Sequence, residues 1–211
     1  ANLPSAALSE PKNLRFKTGK RKKIWNKNCL SIGLASGFME PLESTSIHLI
    51  QSTIMRFFSL FPHKADFEIE MNYFNNSIDE EFKSIRDFLI LHYKLTTRDD
   101  SELWNYCRNM EIPDSLMEKL ELYKSGSWIE RNNKELFGVD SWLAVLNGQS
   151  AQANSYNPLV DTLAESELEK IMQDTREVLS KCASSMPDHE DFILNNCASK
   201  NSQLAKNQIA P

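Results

Sequence analysis

The chain has 211 residues, 41% hydrophobic and 25% charged, with a formal net charge of −5. That balance fits a soluble globular protein of one domain, or one and a half, with enough chain to bury a core. It speaks against broad binding of nucleic-acid phosphates, and no run reaches the roughly 18 apolar residues that a membrane span needs.

Cys29, Cys107, Cys182 and Cys197 stand far apart without a C-x-x-C pair, and the four histidines are equally scattered. Reduced, mostly buried thiols in a cytoplasmic protein explain this spacing better than a disulfide framework, and no metal site is expected. The opening ANLPSAALSEPKN lacks a basic segment followed by an apolar one, so it does not read as a secretion signal. It begins without methionine on loop-like residues, which suggests that more chain belongs upstream.

Residues 1–13 read as an irregular lead-in. Leu14–Phe16 then reads as a strand, Thr18–Lys20 as a turn and Ile24–Trp25 as a second strand. A third strand, Cys29–Ala35, is small and apolar enough to be buried on both faces. The basic run Lys20–Lys23 between them reads as a solvated hairpin rather than a phosphate contact, because no aromatic stripe accompanies it.

After Pro41 the period changes. Ile47, Ile50, Ile54, Phe57, Phe58 and Phe61 give a helix with one apolar face, ended by Pro62. Phe82, Ile85, Leu89, His92 and Tyr93 form a second helical stripe. Shorter helices are expected at Glu102–Arg108, at Pro113–Lys124 with Pro113 at the first helical position and Gly126 near the cap, and at Ser141–Asn147. A long helix from about Thr162 to Ser184 follows. A last short helix is capped by Asp188, and the tail from Lys200 is polar. The fold class is mostly α with a small β portion.

The stretch Ser31–Ile50, SIGLASGFMEPLESTSIHLI, is where chemistry would sit. It is a strand, a glycine-flanked turn, a Pro-containing loop and a helix start whose first turn carries Glu43, Ser44, Thr45 and Ser46. Unpaired N–H groups and the helix dipole suit such an end to an anion. Gly33 and Gly37 let a ligand or another backbone approach closely. By pattern alone Glu43 is equally a glutamate complementing the dipole, and the serines and threonine equally caps.

The run G-L-A-S-G-F-M-E-P-L-E-S-T-S-I at Gly33–Ile47 closely resembles the signature of flavin-dependent tryptophan halogenases. Trp25-x-x-Asn28, Phe88-x-x-x-His92-Tyr93, Trp142-x-x-Val145-Leu146-x-Gly148-Gln149 and Met186-Pro187-x-His189-x-x-Phe192 extend the likeness in order, over roughly residues 14–195. The resemblance implies the C-terminal part of an FAD-dependent α+β monooxygenase-like fold. Residues 1–40 would be a remnant of the FAD-binding domain, 41–197 a helical substrate-side domain and 198–211 a tail.

It further implies an enzyme that uses FADH2 from a separate flavin reductase, O2 and a halide ion to generate hypohalous acid. That oxidant halogenates tryptophan or another electron-rich aromatic substrate. Glu43 would be the catalytic carboxylate, Thr45 and Ser46 would offer N–H groups to the halide, and Leu34 and Ile47 would contact the FAD. Position 46 is often glycine in the family and is serine here. The G-x-G-x-x-G that holds the FAD pyrophosphate, the W-x-W-x-I-P element and the catalytic lysine belong to an N-terminal FAD domain that this sequence lacks. Lys17, Lys20, Lys22 and Lys23 do not match the lysine's context. The chain is therefore expected to act only when joined to that domain, as a cytoplasmic protein, and analogy with the family allows a homodimer. An inactive helical interaction module and a halide-independent flavin monooxygenase are the alternatives. Trp128, Phe137, Trp142, His92 and Tyr93 are expected to pack in the core rather than form a site.

Overall fold

The computed structural model describes residues 9, 10, 12–63, 66–131 and 135–197. The chain divides into two compact units, Ala1–Asn157 and Pro158–Pro211. Most of the expected lead-in at 1–8, and the whole tail 198–211, lie outside the described residues.

Among the described residues of the first unit, four two-residue strands lead into five helices. The strands are β1 (Gly19–Lys20), β2 (Trp25–Asn26), β3 (Cys29–Leu30) and β4 (Gly37–Phe38). β2 and β3 form an antiparallel hairpin nested inside the antiparallel pair β1–β4. Leu14–Phe16, expected as a strand, is irregular and exposed, and the expected turn at Gly19–Lys20 is itself a strand. The strand expected at Cys29–Ala35 stops after Leu30, and none of its residues is buried. Gly33 takes φ +63°, which a continuing strand does not allow, and closes a 3-10 turn over Gly33–Ala35. The turn is locked because the Ser36 N–H and hydroxyl both donate to the Gly33 carbonyl, at 2.9 and 2.7 Å.

The helices are α1 (Thr45–Ser59), α2 (Glu68–Lys94), α3 (Glu102–Asn109), α4 (Asp114–Gly126) and α5 (Val139–Gly148). α2 organises the unit by serving two cores. Phe74, Ile78 and Phe82 pack with Ile24 and Trp25 beneath the hairpin, and Phe88 and Leu91 pack with Leu116, Leu120, Tyr123, Trp142 and Leu146 from α4 and α5. Each such side chain, taken fully out of water, contributes about 1.5–3 kcal/mol. Only the second half of α2 was legible as a stripe. Its first half reads E-I-E-M-N-Y-F-N-N-S, where helix-poor Asn and Ser hide an inward spacing carried mainly by Met71, Phe74 and Ile78.

One half-buried side chain ties the hairpin to α2. The Asn75 carboxamide oxygen accepts from the Ile24 and Trp25 N–H groups at 2.9 and 3.0 Å. Its NH2 donates to the Trp25 and Met71 carbonyls at 2.8 and 2.9 Å. All four hydrogen-bonding capacities of the amide are thereby used.

Smaller expectations shift by a residue. Pro113 is the N-cap of α4 rather than its first helical residue, and Gly126 ends the helix while Ser127 takes the left-handed cap conformation at φ 61°. The reason for glycine at 126 is packing, since a Cβ there would stand 2.5 Å from the Trp128 indole nitrogen. Of the thiols only Cys107 is buried; Cys29, Cys182 and Cys197 are exposed, against the expectation of mostly buried cysteines.

The second unit holds a 3-10 turn at Pro158–Thr162, α6 (Glu165–Ser185) and α7 (His189–Asn196). As the sequence suggests, an Asp188 carboxylate oxygen accepts from the Glu190 and Asp191 N–H groups and caps α7. On α6 the side chains of Ile171, Val178 and Leu179 are exposed. Among the described residues no helix is long and apolar enough to cross a membrane.

Candidate active site

The loop Met39–Ser44 carries the chain from β4 into α1. The Ser44 N–H donates to the Pro41 carbonyl at 2.9 Å, which folds the loop back on itself. Ser44 is the N-cap of α1 and adopts a left-handed conformation (φ 53°, ψ 33°), and its side chain makes no capping hydrogen bond. A non-glycine residue held there stores about 1 kcal/mol of strain. The first turn of α1 contains no acidic side chain. Its N–H groups and the positive end of the dipole are thus left without an acceptor from their own cap, an arrangement suited to an anion.

Glu43 lies before the cap, outside the helix. This corrects the expectation that it sits in the first helical turn, and its carboxylate is engaged by a histidine of another helix. Its Oε1 stands 3.0 Å from Nε2 of His92, in the last turn of α2, and the His92 Nδ1 is 2.8 Å from the Phe88 carbonyl. One residue on, the Tyr93 hydroxyl donates to Glu40. That hydrogen bond to a carboxylate, with burial adding to it, pushes the Tyr93 phenol up to about 12. His92 and Tyr93 are therefore not the core pair expected of them; both reach the Glu40–Glu43 loop.

Thr45 is buried, whereas Ser46 and Ile47 are exposed. α1 is held in place by Glu81 of α2, whose buried carboxylate meets His48 Nε2 at 2.9 Å and Arg56 Nη1 at 2.8 Å. The inward face of α1 is accordingly Thr45, Leu49, Thr53 and Phe57, while Ile47, Phe58 and Phe61 of the expected apolar stripe stay exposed. The 3-10 turn packs against α1, where a Cβ on Gly33 would lie 3.5 Å from the Ile50 side chain. Gly37 serves backbone approach: a Cβ there would lie 2.8 Å from the Gly19 carbonyl oxygen of the paired strand.

Leu34 is 78% exposed and Ile47 69%, so the fold leaves two large apolar side chains in water beside this helix start. Leu34 also lines an open cleft of about 630 Å³ with Leu14, Phe16 and Phe38. A second open cleft, about 790 Å³, is walled by Met39, Glu40, Phe82, Leu89, Tyr93 and Met110. The basic run contributes to structure, with Lys20 paired to Asp79 at 2.6 Å and Arg21 donating to the Ala35 carbonyl. Lys20 first and Lys83 second hold the Asp79 carboxyl below the usual carboxylate range. Trp142 is buried and Phe137 stacks on Phe88 at 3.9 Å, as expected of core residues, but Trp128 is 46% exposed.

The family model of tryptophan halogenase matches residues 1–165. The chain belongs to the tryptophan halogenase family. It is 36% identical over 118 residues to the tryptophan 7-halogenase KtzQ of Kutzneria sp. (strain 744), covering 56% of this chain and 22% of that protein. Over 118 residues it is 37% identical to the tryptophan 6-halogenase ThaL of Streptomyces albogriseolus, again covering 56% of this chain and 22% of the relative. Among solved structures, Xcc4156, a flavin-dependent halogenase from Xanthomonas campestris, superposes with a TM-score of 0.85 at 38% identity, over 94% of this chain and 40% of that one. BrvH, a flavin-dependent halogenase from Brevundimonas sp. BAL3, superposes with a TM-score of 0.81 at 37% identity, over 89% and 38%. The chain thus corresponds to less than half of the halogenases it matches, and its fold is a helical part of theirs. The sequence did not single out Asn75 or Glu81. Nor did it connect His92 with Glu43, although the F-x-x-x-H-Y motif was visible, because nothing in a linear pattern says which way a half-buried histidine points.

Proposed function

We propose that this chain is the substrate-side portion of a flavin-dependent halogenase acting on tryptophan or another electron-rich aromatic. Residues 1–40 belong to its flavin side, 41–197 to its helical side and 198–211 to a tail. Beside Leu34 and Ile47, reduced flavin from a separate flavin reductase would, with O2 and halide, supply the halogenating oxidant. Glu43 polarises that oxidant or takes the proton that leaves the arene. The Thr45 and Ser46 N–H groups hold the halide, and Leu34 and Ile47 lie against the flavin. The protein works in the cytoplasm, where its exposed cysteines stay reduced.

One observation carries this reading. A carboxylate fixed by a histidine stands immediately ahead of a helix N-terminus whose donors have no side-chain cap. The residues also fit the flavin, because Leu34, Ile47 and the apolar cleft beside Leu34 offer a flat, partly apolar ring system a surface that the chain leaves open. The test joins the chain to a flavin-binding portion of its family in one polypeptide. FAD, a flavin reductase, NADH and chloride or bromide are then supplied with a panel of indoles and phenols, and products are read by mass spectrometry. A halogenated product that Glu43→Gln abolishes is expected. Equal turnover by Glu43→Gln removes Glu43 from the chemistry.

A further inference from the structure

Glu40 and Glu43 lie three residues apart in the loop before α1, and consecutive residues of α2, Tyr93 and His92, meet their carboxylates. The histidine is the better defined of the two. Its ring stands edge-on to Phe88, with centroids 4.9 Å apart at 85°, and Phe88 is itself buried against Phe137 and Trp142. Packing on one side and the Phe88 carbonyl on the other leave the imidazole one orientation. A carbonyl oxygen only accepts, so Nδ1 carries hydrogen, and Nε2 is the nitrogen left for Glu43. Whether the ring donates to a carboxylate or accepts from a carboxylic acid, one proton lies between Nε2 and Oε1. The second oxygen of Glu43 has no such partner in the contact, and the carboxyl group is one-third exposed.

We propose that His92 is a positioning residue for Glu43: it occupies Oε1 and turns Oε2 outward as the oxygen that meets the oxidant or the arene. The inference rests on the reading of Glu43 as the catalytic carboxylate. The same α2 that holds the aromatic core also sets the reacting group, so the site is referenced to the rigid centre of the unit rather than to the loop that carries it. Tyr93 and Glu40 add a second tether to that loop, three residues upstream.

The test has two parts. In the 211-residue chain, ¹⁵N spectra of the histidine rings are compared for the parent and Glu43→Gln. A hydrogen-bonded His92 Nε2 resonance that moves in Glu43→Gln, while Nδ1 stays protonated, is expected. An unmoved Nε2 resonance shows that the ring is not bound to Glu43 and overturns the inference. In the halogenase assembled with its flavin-binding portion, His92→Leu is expected to lower kcat by about 10- to 100-fold with little change in the KM of the arene, as for a misplaced catalytic group. His92→Gln, whose amide N–H can still donate to Oε1, is expected to restore most of that loss. If His92→Leu keeps full kcat while Glu43→Gln is inactive, the positioning role is wrong and the Glu43 reading stands. If Glu43→Gln is fully active, the Glu43 reading fails, and the spectra still report whether the contact exists.

Discussion

Asn75→Ala is the substitution whose effect the structure specifies most closely. The methyl group removes an acceptor shared by the Ile24 and Trp25 N–H groups and a donor to the Trp25 carbonyl, and both of those residues are only 3% exposed. Water cannot replace the amide without opening the Trp25–Phe74 core. Three main-chain groups are then left short of partners, at about 1–2 kcal/mol each beside a half-buried side chain, which gives a loss of about 3–6 kcal/mol. With a urea slope of about 2 kcal/mol per molar, typical of small domains, the midpoint should fall by about 1.5–3 M. All four tryptophans lie in the first unit, so their fluorescence reports its unfolding apart from the second. Asn75→Asp separates the two halves of the amide. It retains the acceptors for Ile24 and Trp25 but sets a carboxylate oxygen against two carbonyls, and it should also destabilise the unit. A midpoint shift below about 0.5 M for Asn75→Ala, equivalent to under 1 kcal/mol, would refute the view that this side chain fastens the hairpin.

Glu81→Ala leaves Arg56 and His48 without their shared carboxylate and should cost about 3 kcal/mol. A double-mutant cycle with Arg56→Ala should return a coupling of 1 kcal/mol or more, by order of magnitude, and additive losses would show the pair to be inert. Asp79 is held by Lys20 and Lys83 with its pKa lowered from 3.8, so its contribution to stability is present above that value and disappears as the pH falls below it. Being one-third exposed, it should contribute under about 1 kcal/mol, and Asp79→Asn should flatten the urea-midpoint profile below about pH 4. Parallel profiles for parent and variant would contradict this. Ser46→Gly should leave the KM for chloride within about twofold, because the proposed halide donor is a main-chain N–H that glycine keeps. A tenfold rise, by order of magnitude, would move the contact to the serine hydroxyl.

The sequence disclosed what depends on period and punctuation. Pro62 marked the end of α1, Asp188 the cap of α7, and the stripe from Phe82 the second half of α2. It failed where local propensity and tertiary contact disagree. The first half of α2 is poor in helix formers and becomes helical because Phe74 and Ile78 reach the hairpin. Cys29–Ala35 looks like a buried strand until Gly33 takes a positive φ. The apolar stripe of α1 is inward only in part: Phe57 joins the core while Ile47 and Phe58 stay exposed, because Glu81 draws the His48–Arg56 side toward α2. The E-P-L-E-S-T-S run was the most informative segment, since it placed the chain in its family. What it hid was geometry: Glu43 stands outside the helix, and the histidine that holds it lies 49 positions later in the chain.

The most direct measurement of the central claim is whether product mass follows the halide supplied to the assembled enzyme. Chloride should give a chlorinated arene, bromide a brominated one, and omission of halide no halogenated product. A hydroxylated product formed equally with either halide or with none would show flavin monooxygenase chemistry and contradict the account.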